Sequence, residues 1–466
     1  MEAINNFLLP IVQSINTYLA DYVLVFLLVG VGIFYTIRTR FVQVRCFGEG
    51  MKKVFGKISL RGGKNKSGLS SFQALATAIA AQVGTGNIVG ACGAILVGGP
   101  GAIFWMWVIA FFGMATIYAE AVLAQETRVK AEDGSVLGGP VYYIKRAFKG
   151  GFGKFLAGFF AVAITLALGF MGAMVQSNSI ASAINSAVPA IQPWIVGLVL
   201  AVICVFIFLG GIQRIASVAE KVVPFMAVLY LLIGFIVLCV NITAIPETFA
   251  IIFKFAFVPQ AIIGGTFGTA IKAVISQGAK RGLFSNEAGM GSTPHAHAQA
   301  NVEKPHDQGV VAMIGVFIDT FVVLTMTALV VISTLYTKNG AGIEGLTKNN
   351  LIQAALGTVF GTVAGNILVA LCLTFFAFTT IIGWNFFGKQ NVQYLFGKKS
   401  RIAVIVYSVL AIGFIFLGSM LQSDLVWELT DAFNYLMVIP NALALLALSG
   451  IVVEAVKARK NKNELK

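Results

Sequence analysis

The chain alternates long apolar stretches with short polar connectors. Eleven stretches read as membrane-crossing helices, each needing about 20 apolar residues. They fall at about 22–37, 70–98, 101–126, 154–187, 194–212, 216–241, 260–278, 308–337, 363–388, 402–420 and 426–455. Several are long enough to predict tilt, kinks or extensions beyond the bilayer. The pattern predicts an all-α polytopic membrane protein.

Two stretches carry helix-hostile sequence inside the apolar run. The second contains Gln82-Val-Gly-Thr-Gly-Asn87, and the seventh contains Gly264-Gly-Thr-Phe-Gly-Thr269. An interior glycine costs a helix about 1 kcal/mol relative to alanine. Close helix packing is the competing use of such glycines. Five spans separate the two stretches, so they run in opposite directions. Spans 2–6 and 7–11 are then candidates for two five-helix units of inverted topology, with the first span as an extra helix. Paired breaks at matching places point to a carrier's substrate site, because unwound backbone in lipid must line a polar cavity. The glycines Gly84, Gly86 and Gly90 superficially resemble a dinucleotide fingerprint. That fingerprint needs a βαβ unit, which this helical run does not provide.

Composition narrows the class. Hydrophobic residues make up 58% and charged residues 11% of the 466 residues, far from the one quarter charged of a soluble globule. Disorder is excluded by the same numbers. The net charge of +14 comes from 33 basic and 19 acidic residues. In a soluble protein it would suggest nucleic acid; here it orients the chain. The 38–69 connector holds nine basic residues. Placing it inside and alternating puts 29 of the 33 basic residues on the inner side, as cytoplasmic loops require. The N-terminus is then outside and the C-terminus in the cytoplasm, which predicts a multi-pass protein of the plasma (inner) membrane. Residues 1–21 lack the basic segment of a cleavable signal peptide. The expected organisation is 1–69 as extra helix and basic loop, 70–241 and 242–456 as the two repeats, and 457–466 as a basic tail. The five cysteines, Cys46, Cys92, Cys204, Cys239 and Cys372, form no metal or redox motif and read as small hydrophobes.

Four motifs then stand together: Gln82-Val-Gly-Thr-Gly-Asn87, Glu120 in Ile117-Tyr-Ala-Glu120, Gly138-Gly-Pro140, and Arg281-Gly-Leu-Phe-Ser-Asn-Glu-Ala-Gly289. Their order and length resemble the alanine or glycine:cation symporter family, from about residue 15 to 455. The resemblance implies a leucine-transporter-like fold of five-plus-five inverted repeats with 11 transmembrane helices. It implies import of a small neutral amino acid, alanine or glycine, coupled to Na+, with H+ coupling in some members. By the same resemblance the backbone of Gly84, Thr85 and Gly86 holds the substrate carboxylate, with Gln82 and Asn87 beside it. Thr266, Phe267, Gly268 and Thr269 face the substrate from the second break. Carbonyls of Ala80 and Val83 with hydroxyls of Thr379 and Thr380 hold sodium, Trp384 walls the pocket, and Gln176 reaches the substrate. Each has a plainer role: threonines bond the preceding turn, Trp384 anchors at the interface, Gln176 glues helices, and Phe267 is core.

Glu120 and Asp319 are carboxylates within spans, where charge is costly and marks function. Both are expected to pair structurally, Glu120 with cytoplasmic arginines, and are the first suspects if protons drive transport. His295 and His297 are expected in a solvated loop, since two ligands do not make a metal site. The 281–291 segment is expected below the second break, at the inner gate. No enzyme constellation and no ATP-binding motif occurs in the chain. The expectation is a secondary active symporter with no cofactor beyond Na+, monomeric, and binding no nucleic acid. Alternatives are an H+-coupled carrier, a carrier for glutamine or serine, and an ion channel; unlike breaks in an inverted pair favour a moving carrier over a pore.

Overall fold

A computed structural model describes residues 2–56, 69–130, 136–208, 211–258, 267–397 and 400–459. Among these residues seven helices are long and apolar enough to cross a membrane: Ala102–Thr127, Gly150–Ala187, Gln213–Val240, Pro305–Leu335, Thr362–Phe396, Ser400–Gly418 and Ser423–Ala447. Ser71–Gln82 and Gly86–Gly98 make an eighth, bent by 48°. Val25–Arg38 and Pro193–Phe208 are shorter apolar helices at two further expected spans. Helices Gly211–Val240 and Ser400–Gly418 carry exposed Val228, Phe235, Ile402 and Val409. Such side chains suit lipid rather than water.

The interior helices are set by specific residues. Ser70 opens helix Ser71–Gln82 with a capping box: its hydroxyl accepts from Gln73 N, and the Gln73 side chain accepts from Ser70 N, each at 3.1 Å. The same helix stops at Val83, where the glycines begin. Helix Thr362–Phe396 lies directly against this stop. A Cβ on Gly383 would come within 3.1 Å of Ala81 Cβ, so glycine lets the two backbones approach. Three interior spans carry π-helical segments: Gly86–Gly90, Thr165–Gly172 and Phe317–Leu324. Such segments concentrate at functional sites.

The Gly86–Gly98 half of the bent span packs antiparallel to helix Phe267–Asn286. Cβ atoms built on Gly98, Gly90 and Gly86 would meet Gln277, Arg281 and Ser285 in turn. The second break is expected at 264–269, and the structure describes only part of that stretch. Gly264, Gly265 and Thr266 lie outside the described residues. Phe267, Gly268 and Thr269 form the first turn of an unbroken helix, and Thr269 is about 24 Å along it from Ser285 at 1.5 Å per residue. The interruption level with the first break is 287–293, where Glu287, Gly289 and Gly291 take φ of +58°, +92° and +80°.

Candidate functional site

The first break builds the site. Asn87 folds back on it: its Oδ1 accepts from Gly84 N at 3.0 Å. Thr85 N donates to Gln176 Oε1 at 3.2 Å. Gln176 comes from helix Ala173–Ala187, just past the π-helical segment of that span. The local cost of breaking the helix is thus offset by side chains that replace its lost backbone partners. Three buried polar atoms around the break have no partner: Thr85 Oγ1, Gln176 Nε2 and Gln82 Oε1. Buried polar groups left unpaired are costly, and this trio presents donors and acceptors to a polar guest.

Helix Thr362–Phe396 supplies the second wall. Thr380 Oγ1 lies 3.0 Å from Ala80 O and 3.5 Å from Val83 O, at the end of helix Ser71–Gln82. It also bonds Phe376 O, 3.0 Å away in its own helix. A Cβ on Gly84 would come within 2.4 Å of Thr380 Oγ1, so only glycine admits this hydroxyl. Ala80 O, Val83 O and Thr380 Oγ1 form a neutral oxygen cradle that fits a hard monovalent cation better than calcium, which favours carboxylates. Thr379 turns elsewhere. Its hydroxyl bonds Phe376 O at 2.9 Å and reaches Met226 Sδ at 3.6 Å. The four expected ion ligands therefore divide: three sit together and Thr379 faces helix Gly211–Val240.

Trp384 is fully buried, not interfacial. Its Nε1 donates to Glu287 Oε1 at 2.5 Å, and its ring stands edge-on to Phe284, centroids 5.8 Å apart. A Cβ on Gly172 would be 2.4 Å from the indole. Thr380 and Trp384 share one helix face, as their spacing requires.

The second interrupted stretch is tied to the first by side chains. Gln82 Nε2 donates to Asn286 O at 2.7 Å. Asp319, on the Phe317–Leu324 segment, accepts from Asn87 Nδ2 at 2.6 Å, and from Ser285 Oγ and Thr320 Oγ1, each at 2.9 Å. Glu120 is buried and bound to the loop backbone. Its carboxylate accepts from Gly291 N at 2.9 Å, Gly289 N at 3.1 Å and Asn441 Nδ2 at 2.6 Å. These partners replace the cytoplasmic arginines expected for it. Glu287 also accepts from Ser292 Oγ. The 281–291 segment, expected at an inner gate, thus lies in the wall of the site.

His295 and His297 are buried rather than solvated. His295 Nδ1 faces Ser292 O at 2.7 Å and Nε2 faces Asn391 Nδ2 at 2.8 Å; His297 Nδ1 faces Gln308 Nε2 at 2.8 Å. Sequence reasoning missed Ser285, Asn286 and Glu287 as site residues. Their signal was present in Ser285-Asn-Glu-Ala-Gly-Met-Gly291, where a polar run is followed by two glycines.

Toward Gly98 from the break lies a cavity of about 530 Å³ lined by Gly90, Gly93, Arg281, Lys348, Asp424 and Trp427 among others. At its floor Arg281 Nη2 pairs with Asp431 Oδ2 at 2.9 Å, and the guanidinium stands 4.9 Å from the centroid of Trp427. Lys348 and Asp424 pair at 2.8 Å nearer the opening.

The sodium:alanine symporter family model matches residues 5–466 of this chain. The sodium/alanine symporter AgcS of Methanococcus maripaludis is 41% identical over 460 residues, 98% of each chain. GlnT of Bacillus subtilis, described as a probable sodium/glutamine symporter, is 40% identical over 448 residues, 96% of this chain and 90% of its own. Among solved structures, MhsT in complex with L-phenylalanine matches with a TM-score of 0.59 at 13% identity, over 84% of this chain and 99% of its own. That likeness concerns the fold alone.

Proposed function

The chain belongs to the sodium:alanine symporter family, and from that premise we propose that it imports a small neutral amino acid together with Na+ by alternating access. It is a multi-pass membrane protein of a family of carriers, not enzymes. The observation that carries the proposal is the Thr380 hydroxyl seated against the Ala80 and Val83 carbonyls where the first helix breaks. Sodium binds in that cradle. Its binding links helix Thr362–Phe396 to the break, so ion occupancy steadies the backbone that receives the substrate.

The amino acid binds beside it. Gln176 Oε1 now accepts from Thr85 N–H, as a substrate carboxylate oxygen would. Substrate entry rotates the Gln176 amide and gives the carboxylate the positive end of the Gly86–Gly98 half-helix. Thr85 Oγ1 and Gln176 Nε2 gain the partners they lack. The buried rings of Trp384 and Phe284 limit the side chain, which favours alanine or glycine. The cavity over Arg281 is the outer path, closed by the Arg281–Asp431 pair and Trp427.

The reading carries a topology: 11 transmembrane helices, N-terminus outside, C-terminus inside, in the plasma membrane, as a monomer. Its repeats span 70–241 and 242–456. Proton coupling is the second reading, favoured by Asp319, a buried carboxylate held by three neutral donors. The resemblance to GlnT keeps glutamine as a second substrate to assay. Radiolabelled alanine uptake into proteoliposomes, with unlabelled glutamine as competitor, tests both. Uptake driven by an imposed Na+ gradient is the expected outcome; uptake driven only by a proton gradient overturns the ion.

A further inference from the structure

A cluster of metal-ligating side chains lies outside the transport site. Cys46 immediately precedes helix Phe47–Phe55, and Glu49 is in that helix's first turn. The Cys46-x-x-Glu49 spacing puts both on one side of the chain. His306 lies in the first turn of helix Pro305–Val316, which packs on that helix. One atom from each residue, thiol sulfur, carboxylate oxygen and imidazole nitrogen, lies within 4.8 Å of the other two. Cys46 is 0% and His306 2% exposed.

His306 is oriented as a ligand. Its Nδ1 is held by Tyr118 Oη at 2.7 Å. Its buried Nε2 has no hydrogen-bond partner and lies 3.4 Å from Glu49 Oε1. Metal-binding histidines characteristically use their second nitrogen in this way to fix ring and tautomer. A cation already sits against two of the three groups: Arg459 Nη1 is 3.0 Å from Cys46 Sγ, and Nε is 2.7 Å from Glu49 Oε2. Arg459 follows the last described helix, Ser449–Ala458.

We propose that Cys46 Sγ, Glu49 and His306 Nε2 bind a thiophilic divalent ion of the Zn2+ type in exchange for the Arg459 guanidinium. Zinc is held by sulfur, nitrogen and carboxylate at about 2.0–2.3 Å, commonly by three protein ligands and a water. Closing to that geometry needs torsion of the half-exposed Glu49 and a small contraction of the cluster. As the sulfur–zinc bond forms, the thiol proton passes to water, and no electron is transferred. Displacing Arg459 breaks its contacts with Cys46 and Glu49, so the ion and this guanidinium compete for one anionic seat. This inference does not depend on which amino acid is transported.

The test uses full-length protein in detergent with Cys239, the exposed cysteine, replaced by serine. Binding of Zn2+ is measured by calorimetry, and binding of Co2+ by its thiolate-to-metal charge-transfer absorption. The expected result is one ion with a thiolate band. Cys46→Ser abolishes the band, and Tyr118→Phe weakens Zn2+ about tenfold, as second ligand contacts do. Arg459→Ala strengthens binding, because the competitor is gone. A wild-type cobalt spectrum without a thiolate band, or Zn2+ affinity unchanged in Cys46→Ser, overturns the site. Should Cys46→Ser fail to fold, Arg459→Ala decides: unchanged or weaker Zn2+ affinity there overturns the exchange.

Discussion

Two adjacent threonines separate the ion role from ordinary helix chemistry. Both bond the preceding turn through Phe376 O, but only Thr380 also reaches Ala80 and Val83. Thr380→Ala is expected to raise the Na+ concentration for half-maximal uptake about five- to tenfold, the equivalent of one lost hydrogen bond of about 1 kcal/mol. Thr379→Ala changes it less than about twofold on the same scale; equal effects in a Na+ titration would sink the cradle. Gly84→Ala should silence transport in a folded protein, since its Cβ meets Thr380 Oγ1 at 2.4 Å. Chromatographic behaviour and uptake, measured on one preparation, separate that outcome from misfolding. Gln176→Ala should raise the alanine KM about tenfold by removing an amide that both holds Thr85 and faces the guest. An unchanged KM would reduce Gln176 to helix glue.

Among the elements, the interrupted stretch at 287–293 depends on a carboxylate from a neighbouring helix. Glu120 accepts from two loop N–H groups and from Asn441. Hydrogen bonds to a charged group are worth about 1.5–3 kcal/mol. Glu120→Ala removes all three and leaves buried donors unpaired, so thermal unfolding should fall by several degrees and uptake should fail. A variant with wild-type melting would show that the loop holds itself. The first break was legible because its glycines sit in mid-span. For the second, Gly264 to Thr266 lie outside the described residues, Phe267 to Thr269 are helical, and the interrupted stretch that meets the first break is 287–293. Gly86 packs on Ser285, near the C-terminal end of helix Phe267–Asn286.

For the whole molecule, the Arg281–Asp431 pair and Trp427 stand between the cavity lined by Gly93 and Lys348 and the break, on the path proposed to open outward. Arg281→Gln should leave that path open. A cysteine placed at Gly93 should then react faster with an impermeant thiol reagent from outside; an unchanged rate would remove the pair from gating. Apolar length and the inward bias of Lys and Arg fixed the class and the orientation to test, because lipid imposes both on sequence directly. The breaking glycines fixed that backbone must meet polar partners near residues 82–87. What those partners are came only from tertiary structure. Asp319, Gln176 and Thr380 reach the break from separate helices. Their contacts depend on how close small residues let helix backbones come, and no sequence period records that distance.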